Sequence, residues 1–170
     1  IIQLDIMLEG GFLKKELVVL GGKTGGGKSL MAGTIFYNMA KNGYKVAYFS
    51  LEISNQMVGA RLMGAKSNIS PTRLMIHELS EYEQEEKDKA EASISAYEQF
   101  MNFYDDLNDL EEIEREIEKE QYEFVVIDFI QNMQTKGEEY ERLSTIAINL
   151  QKLAKANNLC IMAVSQLSNM

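Results

Sequence analysis

The chain has 170 residues, 45% of them apolar, with one cysteine and a formal net charge of −9. That is the size of one α/β domain with ample material for a core. Its longest uninterrupted apolar run, Leu159 to Val164, is far too short to span a bilayer. The first residues carry no charged-then-apolar leader pattern, and a lone Cys160 excludes a disulfide framework and reads as a small buried hydrophobe.

In chain order, Leu17-Val18-Val19-Leu20 is a strand-like run that leads into Gly21-Gly22-Lys23-Thr24-Gly25-Gly26-Gly27-Lys28-Ser29. A helical pattern follows from Leu30 to Asn42 and stops at Gly43. Val46 to Leu51 reads as a buried strand, closed by Glu52, and Ser54 is placed to cap a helix running to about Ala65. Pro71 starts a turn or short helix. Ser80-Glu81-Tyr82-Glu83 has the capping-box pattern and predicts a helix to about Phe100. Phe103-Tyr104 ends a short strand. Asp109 then caps a helix whose Ile113 and Ile117 face inward. Phe124 to Ile127 is a strand ending in Asp128, and Gln134 to Tyr140 is a candidate flexible loop. Leu143, Ile146, Ala147, Leu150, Leu153 and Ala154 form a helical stripe. Leu159 to Val164 is the last strand, followed by Ser165-Gln166. Strands alternating with helices predict an α/β fold: a parallel twisted sheet covered by helices on both faces.

The negative charge is local. Residues 78–91 hold seven acidic and two basic groups, and residues 105–123 hold ten and two. Those stretches carry −5 and −8, so the rest of a −9 chain is net +4. Both acidic stretches read as solvated helix faces, and nucleic acid is not excluded as a partner. His77 reads as a surface residue, and the ten methionines, being scattered, as core filling.

Gly22 to Ser29 satisfies G-x-x-x-x-G-K-[ST], the phosphate-binding P-loop, in its proper setting between strand and helix. Glycines let successive backbone N–H groups face the phosphates, and the helix N-terminus adds its partial positive charge. Lys28 is a mobile charge for the β- and γ-phosphates, and the Ser29 hydroxyl is a ligand for Mg²⁺. In an open parallel sheet, ligands gather at the carboxyl ends of strands. Glu52, Asp128 and Gln166 all stand at such ends. Asp128 suits Mg²⁺ through water, Glu52 suits a general base that activates water, and Gln166 suits a sensor of the γ-phosphate. Lys136, Tyr140 and Arg142 flank the loop after Asp128, where single-stranded DNA could be met through phosphates and stacking.

With these residues in view, the chain resembles the motor domain of DnaB-type replicative helicases, a RecA-like ATPase family. Beyond the P-loop, Phe49-Ser50-Leu51-Glu52-Ile53-Ser54 resembles the family's second motif. Val125-Val126-Ile127-Asp128-Phe129-Ile130-Gln131 resembles its Walker B strand. Ser165-Gln166-Leu167-Ser168 resembles its strand-end glutamine motif. Arg61, Asn68-Ile69, Arg73-Leu74 and Asp105-Asp106 also fall in the family's order. The likeness covers nearly all of 1–170.

The resemblance implies a homo-hexameric ring, cytoplasmic in a bacterial cell or a phage-infected host, that hydrolyses ATP with Mg²⁺ at subunit interfaces and pulls single-stranded DNA through its centre. Primase and a helicase loader are implied partners. Lys28, Glu52 and Gln166 take catalytic roles, with Glu52 the base. Gly22, Lys23, Thr24, Gly25, Gly26, Gly27, Lys28, Ser29 and Leu30 hold the nucleotide. Ser29 and Asp128 hold the metal, and Lys136 and Arg142 meet DNA. Thr24 to Gly26 depart from the Pro-containing loop common in cellular members, which points to a phage or mobile element. The family's second DNA loop and arginine finger lie beyond Met170, so 1–170 is expected to be a motor domain truncated at its C-terminal end, hydrolysing ATP poorly alone. Two other readings compete. One is a RadA- or KaiC-like ATPase of recombination or signalling, suggested by Gly10-Gly11-Phe12-Leu13 and Leu20-Gly21-Gly22. The other is a small-molecule kinase, which would want an arginine-rich lid where residues 78–123 are acidic.

Overall fold

The computed structural model describes residues 2–76, 78–135 and 139–167. Five strands build one sheet: β1 (Leu17–Gly22), β2 (Val46–Ser50), β3 (Met101–Tyr104), β4 (Phe124–Asp128) and β5 (Cys160–Gln166). All are parallel, in the spatial order β1-β5-β4-β2-β3. The helices are α1 (Ile2–Met7), α2 (Lys28–Lys41), α3 (Asn55–Ser67), α4 (Pro71–Ile76), α5 (Glu81–Ser95), α6 (Leu110–Glu120) and α7 (Glu139–Ala156). This is the parallel, helix-covered α/β arrangement expected from the alternating pattern.

Side chains alternate across a strand, so a sheet covered on both faces needs two apolar sets. Ala47, Phe49, Val125 and Ile127 pack on one side with Ile113 and Ile117 of α6 and Ile146 and Leu150 of α7. Val46, Tyr48, Phe124 and Val126 pack on the other with Phe36 of α2 and Val58 and Leu62 of α3. Every residue of β2 and β4 is buried. That explains why both read as unbroken apolar runs rather than alternating ones.

Both acidic stretches are helices with one covered side. In α5 the buried residue is Ala90 alone, while α6 buries Leu110, Ile113 and Ile117. Their caps match the sequence pattern. Ser80 and Glu83 make the reciprocal capping box, and Asp109 Oδ1 accepts from the Glu111 and Glu112 amides. The helix expected to reach Phe100 ends at Ser95 and continues as a 3₁₀ turn over Glu98–Phe100. Ile94, Tyr97 and Phe100 all pack on the core, and their three-residue spacing suits a 3₁₀ turn better than an α-helix.

Because every strand runs the same way, the carboxyl ends of β1, β5, β4 and β2 share one edge. The polar residues singled out in the sequence sit on that edge.

Candidate nucleotide site

The cradle begins where β1 stops at Gly22. The Gly26 amide donates to the Lys23 carbonyl at 3.1 Å and closes a tight turn. Gly27, at φ 77°, occupies the left-handed region as the N-cap of α2. A side chain there would be strained. A Cβ on Gly26 would stand 3.0 Å from the Lys23 carbonyl oxygen, so the turn has no room for one. The first turn of α2 thus follows directly on the glycines, with its free amides facing the cleft. Lys28 Nζ donates to the Lys23 carbonyl at 2.9 Å, which folds the lysine back over the loop.

The loop forms one wall of a cleft of about 700 Å³, lined by Thr24 to Leu30, Glu52, Arg61, Asp128, Phe129, Gln166 and the turn from Asn68 to Pro71. Its size is ordinary for a small-molecule or cofactor site. Lys28, Ser29, Glu52, Asp128 and Gln166, taken from four strand ends, therefore converge. Gly22 and Lys23 do not reach the cleft wall. A Cβ on Gly22 would press at 3.2 Å on the Lys28 side chain, so these two shape the turn behind the cradle.

Asp128 is 4% exposed and accepts a hydrogen bond from the Tyr48 hydroxyl at 2.6 Å. Burial first, and then the charge of Asp128, push the Tyr48 phenol well above its ordinary range, so it stays a donor. The ends of β2 and β4 are tied together: the Leu51 amide donates to the Asp128 carbonyl at 2.8 Å, and Asn132 Nδ2 donates to the Leu51 carbonyl at 3.0 Å. Glu52 follows this tie and projects into solvent on the cleft wall.

Ser29 and Asp128 supply a hydroxyl and a carboxylate to the same cleft. That oxygen set fits Mg²⁺, which binds by one or two protein groups while substrate phosphates and water complete its shell. Among the described residues no group of three or more His, Cys, Asp and Glu forms a metal cage.

Gln166 Nε2 donates to Thr24 Oγ1 at 2.7 Å, joining the end of β5 to the P-loop. Gln131 holds it there. Its Nε2 donates to Ser165 Oγ and to the Gln166 carbonyl, both at 2.9 Å, and its Oε1 accepts from the Gln166 amide at 3.3 Å.

Of the two cations singled out for DNA, Lys136 lies outside the described residues, as do His77 and Ser168. Arg142 is half-buried, with Nη2 donating to the Gln131 carbonyl at 3.3 Å and Nε buried. It braces the β4 end from α7 rather than standing free in solvent.

Arg61 and Asn68 are cleft residues that the sequence marked only by pattern. Arg61, Gly64, Ala65 and Asn68 all line the cleft, at the i, i+3, i+4, i+7 spacing of one helix face. That small-and-polar stripe after Glu52 was the available signal.

The geometry, a P-loop with three polar strand ends on one parallel edge, agrees with the comparisons. A model of the DnaB-like helicase C terminal domain matches residues 1–170. The chain belongs to this family. A replicative DNA helicase DnaB of Synechocystis sp. is 31% identical over 97% of the chain and 20% of its own length. A DNA repair protein RadA of Campylobacter jejuni is 25% identical over 98% of the chain and 32% of its own length. The chain thus spans well under half of either relative. A solved ATPase domain matches with TM-score 0.88 at 21% identity, over 99% of this chain and 62% of that one. A DnaB-like replicative helicase, solved in a study of its interactions with primase, matches with TM-score 0.83 at 20% identity, over 94% of this chain and 40% of that one. These structural likenesses concern the fold, and they agree with the RecA-like reading.

Proposed function

We propose that this DnaB-family chain is the ATP-hydrolysing motor of a replicative DNA helicase, which translocates on single-stranded DNA and unwinds duplex during replication. The observation that carries the reading is the meeting in one cleft of the P-loop, Glu52, Asp128 and Gln166. A binding module without turnover would have no use for a second carboxylate across from the phosphate cradle.

In this reading the amides of Thr24 to Leu30 and Lys28 Nζ hold the phosphates, and Lys28 leaves the Lys23 carbonyl to do so. Mg²⁺, when bound, offsets the charge that develops on the phosphate oxygens. The Ser29 hydroxyl and the Asp128 carboxylate would hold its shell. Glu52, free in solvent at the cleft wall, takes a proton from the attacking water. Gln166 exchanges its bond to Thr24 for one to the terminal phosphate. The Gln131 clamp and Arg142 carry that change to α7, and Lys136 meets DNA.

The working form is a homo-hexamer in the cytoplasm of a bacterium or a phage-infected host, with primase and a helicase loader as partners. Among the described residues no helix is long and apolar enough to cross a membrane. The family match over 1–170 favours the helicase over the RadA- or KaiC-like alternative, the 25% likeness to a RadA protein notwithstanding.

The test is ATP hydrolysis by the full parent chain with and without single-stranded DNA, with Lys28→Ala as the blank. Strong stimulation by single strands supports the motor. Turnover indifferent to DNA rejects it.

A further inference from the structure

Tyr48 is a large aromatic in the middle of a central strand, only 1% exposed. Its ring has a packing role: Phe36 meets it edge-on with centroids 5.5 Å apart, and Phe103 lies at 6.4 Å. Packing alone would call for phenylalanine. A buried hydroxyl must find a partner or cost free energy, and the partner here is Asp128 Oδ2.

The register explains the reach. Tyr48 stands opposite Val126 and Ser50 opposite Asp128. Tyr48 and Asp128 therefore lie on the same face of the sheet, two positions apart along neighbouring strands. The length of a tyrosine side chain closes that diagonal. The ring lines a small space that Ser29 and Arg61 also line. The phenol holds one oxygen of the carboxylate, while Asp128 still lines the nucleotide cleft.

We propose that Tyr48 is a positioning residue for the metal: its hydroxyl fixes the rotamer of Asp128 and turns the other carboxylate oxygen toward the Mg²⁺ shell. Without the hydroxyl, Asp128 is a nearly buried carboxylate with one oxygen unpartnered, and it turns to find another donor. The proposal rests on the reading of Asp128 as the metal-side carboxylate.

The experiment measures the Mg²⁺ concentration that half-saturates binding of a fluorescent, non-hydrolysable ATP analogue to the full chain, with binding in EDTA as the metal-free reference. Tyr48→Phe keeps the ring. It should raise the half-saturating Mg²⁺ about tenfold, the lower end of what loss of a ligand's supporting hydrogen bond costs in metal affinity, and leave binding in EDTA unchanged. Tyr48→Ile, a second side chain without a hydroxyl, should do the same if thermal unfolding shows it folded. In an Asp128→Asn background, Tyr48→Phe should add nothing. A Mg²⁺ requirement within twofold of the parent in Tyr48→Phe overturns the proposal, as does equal weakening with and without Mg²⁺. If Asp128→Asn itself leaves the requirement unchanged, it is the reading of Asp128 that fails, and the proposal falls with it.

Discussion

Gln131→Ala tests whether the end of β5 is held by a side chain instead of by a strand. β4 pairs with β5 only as far as Asp128 opposite Val164. Ser165 and Gln166 therefore have β1 on one side, through Gly21 and Gly22, and no β4 residue on the other. Gln131 takes that empty place with three hydrogen bonds, two of them to the backbone of Gln166. Each is a neutral bond worth about 1 kcal/mol net. Gln131 is only partly buried, so water recovers some of that, and the expected cost is about 2 kcal/mol. For a chain of this length that is a fall in Tm of roughly 4–8 °C. Urea unfolding followed by far-UV circular dichroism reads the same loss as a lower midpoint at unchanged slope. Gln166 should also lose its fixed aim at Thr24, so turnover should fall while nucleotide affinity holds. A loss of unfolding free energy below about 0.5 kcal/mol, with turnover intact, would refute the clamp.

Three further outcomes follow from other residues. Glu52→Gln should bind ATP as the parent does and stop hydrolysis, read by equilibrium binding beside phosphate release; joint loss of both would make Glu52 structural. Gly64→Ala should destabilise by about 1–3 kcal/mol in the same urea assay. Its Cβ would stand 2.6 Å from the Ile69 carbonyl oxygen, backbone that cannot step aside without moving the α3–α4 turn. Cys160 is 2% exposed, and burial, followed by the charge of Glu16, pushes its thiol from 9.0 to about 12. A raised folded pKa means the native state keeps the proton longer than the unfolded one. Its contribution to stability is complete below about pH 9 and is lost as pH rises toward 12. Cys160→Ala should lose less stability than the parent between those two values, and parallel stability–pH curves would contradict the assignment.

What could be read from the sequence, and what could not, divides along a physical line. The groups proposed to face a nucleotide are demanded by its chemistry: Gly27 for a left-handed cap, Lys28 for charge, Ser29 for an oxygen, a carboxylate at a strand end. Each is a residue type at a set distance from a strand or helix signal, and local pattern finds it. The groups that hold those in place answer to no such demand. Tyr48 looks like any core aromatic until β2–β4 register sets it diagonal to Asp128, eighty positions away. Gln131 looks like a polar turn residue until β5 is seen to outrun β4. Arg142 looked like a free cation because charge near a loop suggests a phosphate, whereas its helix turns it inward to the Gln131 carbonyl. The three do related work, holding Asp128, Gln166 and the segment between them. Several thin contacts of that kind tie the P-loop to α7. On the proposed function, a substitution of Gln131 or Arg142 should therefore change how strongly DNA stimulates turnover before it changes how tightly nucleotide binds, whereas Tyr48 acts on the metal side of binding. Substitutions in the cradle itself should do the reverse.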